Sequence, residues 1–241
     1  MMARRILDIG VAVFALSVLS PLLAILLLLV WRQDGHSPFY VADRVGKDGR
    51  PFRMVKIRSM VVDADATGVE STSACDTRIT GLGHFIRRWK IDELSQLWNV
   101  LKGDMSLVGP RPNTTREVAS YSRREMGLVA VRPGITDFSS IVFSDEGDIL
   151  KGSSDPDADY TRLIRPWKSE LGLLYVRHAS VFLNLGLIWL TALAIVDKRR
   201  ALNSLDKLLA RCGCPDNLRE VAMRRRPLAE FAGRTALQQG A

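Results

Sequence analysis

Two stretches of the chain carry no charge: residues 11–31 (VAVFALSVLSPLLAILLLLVW) and 179–196 (ASVFLNLGLIWLTALAIV). As a helix, the first would reach roughly 31 Å, the thickness of a bilayer core. Pro21 interrupts it, removing an amide donor and clashing with the carbonyl of Ser17, so a bend or break is predicted there, with the Ser17 and Ser20 hydroxyls as local partners. Both flanks are basic, Arg4 and Arg5 before and Arg32, Arg44 and Lys47 after, whereas a true span shows its excess on one side. A helix that enters and leaves through one leaflet explains proline and charge together; a kinked span fits the chain physics equally. The run is too long for a signal-peptide core and has no small-residue cleavage site, so it is expected to stay on the protein. The second run is also flanked by cations on both sides and reads as an apolar segment lying at the membrane interface, with Trp31 and Trp189 as anchors.

Between the runs the pattern changes. Residues 38–43 and 51–57 are apolar and aromatic and are separated by Gly46-Lys47-Asp48-Gly49, a β-hairpin signature. Residues 62–76 are small, polar and acidic, as in an exposed loop, and a helix is predicted over 81–90. Leu94, Leu97, Trp98 and Leu101 then recur at helical spacing up to Gly103, which puts Asp92 and Glu93 in the first turn of an amphipathic helix. The organisation read from this pattern is α+β and helix-rich: a membrane helix over 1–31 with a Ser20-Pro21 break, a domain with its own core over 32–178, an interface segment over 179–196 and a basic tail over 197–241.

Composition sharpens the picture in two places. The net charge is +8, with 34 Lys and Arg against 26 Asp and Glu. From Asp197 onward there are 10 basic and 5 acidic residues, a surplus suited to anionic headgroups. No zinc spacing, stacking motif or recognition helix accompanies it, so nucleic acid is not expected as a partner. The three cysteines, Cys75, Cys212 and Cys214, form no disulfide framework and point to a reducing compartment.

The plainer reading of Asp92 and Glu93 is a helix cap and a dipole partner. Their surroundings favour chemistry. Arg87, Arg88 and Lys90 precede them, Gly109-Pro110-Arg111-Pro112 presents Arg111 on a stiff turn after the helix, and Lys56 and Arg58 close the predicted hairpin. Cations at a helix N-terminus make a phosphate site, in which carboxylates can hold a divalent metal or attack phosphorus.

Ser20-Pro21, Lys56-Ile57-Arg58-Ser59-Met60, Arg78-Ile79-Thr80, Asp92-Glu93-Leu94, Lys102 through Pro112 and Arg132-Pro133-Gly134-Ile135-Thr136 occur in the order and spacing of a known group. Over about residues 4–136 the chain resembles the bacterial sugar transferases, the monotopic phosphoglycosyl transferases. The resemblance implies transfer of a sugar-1-phosphate from a UDP-sugar to undecaprenyl phosphate, a polyprenol phosphate, with release of UMP. It implies Asp92 as nucleophile, Glu93 associated with Mg²⁺ together with Asp92, and Lys56, Arg58, Arg87, Arg111 and Arg132 as donor and phosphate contacts. It also implies a re-entrant helix broken at Ser20 and Pro21, and a site on the cytoplasmic face of a bacterial inner membrane. Self-association is left open. Ser95 stands where the family usually has proline and Asp137 where it often has glycine, and beyond that the route through Phe138–Trp167 bears on the sugar. Two rival readings remain: a conventional glycosyltransferase using Asp63-Ala64-Asp65 and releasing UDP, and a basic membrane adaptor without catalysis.

Overall fold

The computed structural model describes residues 2–69, 71–225 and 228. It is helix-rich with two small sheets, as the pattern predicts. Helix α1 (Met2–Asp34) is apolar on nearly every side and is long and apolar enough to cross a membrane. Its helical geometry runs on through Pro21, so the break expected from sequence does not interrupt it. The reason is local. Ser20 Oγ donates to Ser17 O at 2.9 Å, and that is the carbonyl proline leaves without its amide partner.

Both halves of α1 rest on the same folded body. Near its start, Asp8 is buried and accepts from Ser106 Oγ (2.7 Å) and Leu107 N (3.1 Å), while Arg5 donates to Val100 O and Leu101 O. Near its end, Leu26 and Val30 pack with Ile57, Ile86 and Ile91, and Asp34 clasps Arg58 at 2.5 and 2.7 Å.

Strands β1 (Phe39–Val45) and β2 (Pro51–Ile57) pair antiparallel, Tyr40 opposite Lys56, around a turn at Lys47–Gly49. Ala42, Val45, Met54 and Ile57 are their buried residues. Helix α2 (Gly81–Arg88) is capped by Thr80, whose hydroxyl accepts from Gly83 N. The amphipathic run is a 3₁₀ turn (Ile91–Gln96) continuing into α3 (Leu97–Lys102), which ends where Gly103 takes φ 93°. Strand β3 (Ser106–Val108) leads into the Gly-Pro-Arg-Pro turn. Short helix α4 (Thr115–Ala119) follows, and β4 (Gly134–Thr136) then pairs parallel with β3. A Cβ on Gly134 would meet Gly109 N at 2.0 Å, so these two motif glycines are fixed by the crossing of two backbones.

Helices α5 (Phe138–Val142), α6 (Glu146–Ile149), α7 (Pro156–Asp159) and α8 (Arg165–His178) complete the middle, with a π-helical turn at Tyr160–Ile164 before α8. Helix α9 (Val181–Val196) buries Leu183, Leu187 and Leu190 against that body and leaves Phe182 and Trp189 on its outer face. Residues 198–222 are not an appended tail. Helices α10 (Lys198–Arg211) and α11 (Asp216–Ala222) send Leu202, Leu205, Leu209, Leu218 and Val221 into the same core as Phe138, Leu171 and Leu187. Basic residues were the visible signal there; the leucine spacing between them makes the helices. Residues of the 197–241 segment beyond 225, Leu228 apart, lie outside the described residues.

Candidate active site

Lys90 adopts the left-handed conformation (φ 55°) and turns the chain from α2 into the 3₁₀ turn, so Lys90, not Asp92, is the capping residue. The local cost of that conformation is about 1 kcal/mol. It lets Asp92 and Glu93 point at β2 from the first turn. Asp92 is 6% exposed; its Oδ2 lies 3.6 Å from Lys56 Nζ, and its Oδ1 is buried and accepts no hydrogen bond from the protein. Glu93 Oε1 lies 2.8 Å from Arg111 Nη1 and 3.8 Å from Lys56 Nζ.

Two side chains hold this register: Asn99, which the motif reading passed over, and Ser95, noted there only as a departure from proline. Asn99 is fully buried, accepts from Val55 N at 3.0 Å and donates to Arg53 O at 2.7 Å. Ser95 Oγ donates to Val55 O at 3.1 Å and Asp92 O at 3.2 Å. The outer edge of β2 is thus bonded to the helix, which fixes Lys56, one residue on, against Asp92. The signal was present in the sequence. Asp92, Ser95 and Asn99 recur at i, i+3 and i+7, a polar stripe beside the apolar one.

The electrostatics follow from the packing. Burial pushes the Glu93 carboxyl up, but Arg111, Lys56 and Lys90 outweigh it and hold it well below the usual carboxylate range. The Glu93 carboxylate in turn raises Arg111. Burial lowers Lys56, Arg111 adds to that, and Asp92 and Glu93 oppose it. Arg87, half-buried on α2, bears on Lys56 through its charge. The Glu93 carboxylate stays ionised within a positive field, and the same field suits the binding of phosphate.

Asp92, Glu93, Lys56, Arg87 and Arg111 all line one open cleft of ≈ 2240 Å³. Two other expected contacts also make structural bonds, and of these Arg58 lines the same cleft. Arg58 is 8% exposed and spends its guanidinium on Asp34 and on Ser37 O at 2.8 Å, joining the end of α1 to the hairpin. Arg132 is exposed and donates to Gly103 O at 2.9 Å, capping α3. Arg78 likewise serves the 62–76 loop: it pairs with Asp76 and donates to Thr67 Oγ1 and Val69 O. Of the Asp63-Ala64-Asp65 triplet, Asp65 accepts from Tyr40 OH at 2.8 Å on the rim of the cleft. Asp137 caps α5 and is fully enclosed, accepting from Ser139 Oγ and Ser140 N. Cys75, Cys212 and Cys214 are free thiols. Among the described residues no three His, Cys, Asp or Glu side chains converge as a metal cluster.

A buried and a half-buried carboxylate interleaved with Lys and Arg, in a cleft that a long apolar helix also lines, define a site for anionic groups at an apolar surface. The chain belongs to the bacterial sugar transferase family, which it matches over residues 1–198. It is 45% identical over 109 residues to a putative undecaprenyl-phosphate N-acetylgalactosaminyl 1-phosphate transferase of Bacillus subtilis (strain 168), covering 45% of this chain and 61% of that protein. It is 34% identical over 200 residues to the UDP-N-acetylgalactosamine-undecaprenyl-phosphate N-acetylgalactosaminephosphotransferase of Aeromonas hydrophila, covering 80% of this chain and 43% of that one. An undecaprenyl-phosphate glucose phosphotransferase of Komagataeibacter xylinus is 35% identical over 209 residues, 83% of this chain and 37% of that protein. The chain therefore spans less than two thirds of the length of these relatives, and their names carry different sugars.

Proposed function

We propose that the protein transfers a sugar-1-phosphate from a UDP-sugar to undecaprenyl phosphate and releases UMP, as a membrane step of glycoconjugate or exopolysaccharide synthesis. The observation that carries this reading is Asp92: a buried carboxylate set 3.6 Å from a half-buried lysine in the cleft that also holds Glu93, Arg87 and Arg111. The relatives named for undecaprenyl-phosphate phosphotransferase activity support it.

In the first step an Asp92 oxygen attacks the sugar-side phosphorus. The bond from that phosphorus to the bridging oxygen breaks, and UMP departs with the electron pair. In the second, a phosphate oxygen of the lipid attacks the same phosphorus and expels the Asp92 carboxylate. One phosphoanhydride is broken and one made, so the residues need only position the groups and neutralise charge. Lys56 steadies the Asp92 carboxylate and meets the incoming phosphate. Arg111 moves between Glu93 and the donor phosphates, and Arg87, lining the same cleft, is a second phosphate contact.

The carboxylates fit Mg²⁺, which takes one or two protein carboxylates and completes its shell with substrate phosphates; the unpartnered Asp92 Oδ1 is a suitable hard donor. Asp92 and Glu93 would hold it, and its charge would offset that of the diphosphate. Membrane attachment is read through α1. Both of its ends are bonded to one folded body, at Asp8 and at Asp34, which supports a helix held on one face of the lipid, and the basic flanks and free thiols support the cytoplasmic face.

The test is intact-protein mass spectrometry of a reaction quenched within one turnover. A hexose-phosphate adduct mapping to Asp92, absent in Asp92→Asn, is the expected result. Rapid product formation without any adduct would overturn the covalent step, and UDP in place of UMP would favour the conventional glycosyltransferase.

A further inference from the structure

The same cleft carries a second charged pair, which the transfer steps leave unused. Glu146 of α6 and Lys168 of α8, both half-buried, are ion-paired on its wall, and Lys168 Nζ lies over the Tyr160 ring, 5.0 Å from its centre. The pair stands beside the phosphate cations. Burial pushes the Glu146 carboxyl up, but Lys168, Arg111 and Lys90 outweigh it and hold it below the ordinary value. Glu146 in turn adds to Glu93 in raising Arg111. Each partner is fixed from behind. Lys168 stands on α8 between the buried Trp167 and Ser169, and Ser169 Oγ donates to Glu125 Oε1 at 2.9 Å. Asp145, one residue before Glu146, is ion-paired to Lys198 (2.7 Å) and Arg224 (3.1 Å), and Arg224 also donates to Val142 O at 3.2 Å. The start of α10 and the chain after α11 therefore pin the turn that carries Glu146. A partly exposed ion pair adds little to stability, yet this one is held from both sides in the wall of the candidate active site.

The chemistry of this wall selects among the parts of a nucleotide sugar. A carboxylate repels the diphosphate, which belongs with Lys56, Arg87 and Arg111. A uracil ring gains from an aromatic face to stack on, and Lys168 already covers the Tyr160 face at this wall. Hydroxyl groups fit. The carboxylate accepts from one while the ammonium donates to its neighbour, so charge-assisted hydrogen bonds replace those to water. The hexose is bonded to the phosphate on which Asp92 acts in the proposed reaction, so its hydroxyls fall beside the cations that Glu146 accompanies. We propose that Glu146 and Lys168 read the hydroxyl pattern of the donor sugar, Glu146 as acceptor and Lys168 as donor. This rests on the reading of the site as a sugar-phosphate transferase. It makes the two residues specificity-determining, and it makes Asp145 the residue that positions Glu146.

The experiment uses the full chain in phospholipid nanodiscs with undecaprenyl phosphate. UDP-glucose, UDP-galactose, UDP-N-acetylglucosamine and UDP-N-acetylgalactosamine are compared, and the donor used best is then tested as analogues that each lack one hexose hydroxyl. At least one analogue should lower the wild-type kcat/KM about tenfold, the loss of one charge-assisted hydrogen bond. Glu146→Ala and Lys168→Met should lower kcat/KM for the complete donor by about the same factor. In those variants removal of the sensitive hydroxyl should cost no more than about twofold further, because its partner is already gone. Binding of UMP, which has no hexose, should not weaken. Analogues that lose as much in the variants as in the wild type overturn the proposal, as does a matching loss of UMP affinity, which would assign the pair to the uridine. Should neither variant fold, hydrogen exchange on the wild type decides. The donor should protect the peptides holding Glu146 and Lys168 more than UMP does, and equal protection overturns the proposal. A wild-type protein that gives no stoichiometric burst of UMP from donor alone, for any of the four UDP-sugars, would refute the transferase reading, while the exchange comparison still reports on the wall.

Discussion

Lys56 Nζ stands 3.6 Å from Asp92 Oδ2, one residue along the strand from Val55, whose amide and carbonyl are both bonded to the helix that carries Asp92. Strand and helix are locked together so that a half-buried lysine meets a buried carboxylate. Lys56→Met keeps the length of the side chain and removes its charge. Turnover should fall about 10²–10³-fold, the range for losing one preorganised charge-stabilising group. Circular dichroism and the thermal midpoint should stay near those of the wild type. A variant with more than a tenth of normal turnover would remove Lys56 from the chemistry.

Asn99 carries the same argument into stability. Asn99→Ala removes the side-chain partner of Val55 N and Arg53 O, both bonded at part-buried positions, at up to about 1–3 kcal/mol for each group. Urea unfolding should register a loss of about 2–4 kcal/mol on that basis. Because Val55 is released, the UMP burst should slow as well, more than in a surface helix variant of equal instability. A burst at the normal rate would mean that Lys56 finds its place without the bond to Asn99.

These two residues show what the sequence carried and what it did not. The hairpin, α2 and the placement of Asp92 and Glu93 in a first turn follow from periodicity and turn residues, and Gly103 ends the helix as read. Charge alone was a poorer guide. Arg58 and Arg132 stand in motifs as conspicuous as that of Arg111, yet one clasps Asp34 and the other caps α3. What each cation binds depends on contacts between segments far apart in the chain, and the one-dimensional pattern holds no trace of them. The same limit hid α10 and α11, whose arginines drew attention from leucines that complete the core.

Glu93 links the site to acid stability. Its folded pKa lies below the ordinary value, because Arg111, Lys56 and Lys90 outweigh the upward push of burial. The unfolded chain therefore binds this proton more tightly than the folded one. The stabilisation is complete above the unfolded glutamate pKa of about 4.3 and is lost as pH falls below it towards the depressed folded value. Glu93→Gln removes that term. Between about pH 5 and pH 2, the variant's thermal midpoint should decline less steeply than the wild type's. Parallel slopes would show that Glu93 titrates in the folded protein as it does in the unfolded chain.

The ends of α1 offer the last test. Asp8 and Asp34 are separated by 26 positions, about 39 Å along a straight helix, and each is bonded to the same folded body. A bilayer lying between them would have to break one set of bonds, either those to Ser106 and Leu107 or those to Arg58. Single cysteines at Ala3 and Gly35, in a background with Cys75, Cys212 and Cys214 changed to serine, should react with an impermeant maleimide from the same side of sealed inverted vesicles. Arg58→Met frees Asp34 without touching Asp8. It should lower the thermal midpoint and leave the label at position 3 unchanged, while reactivity at position 35 rises. Labelling of the two cysteines from opposite sides would make α1 a true span, and the contacts at one of its ends would then be absent in the membrane.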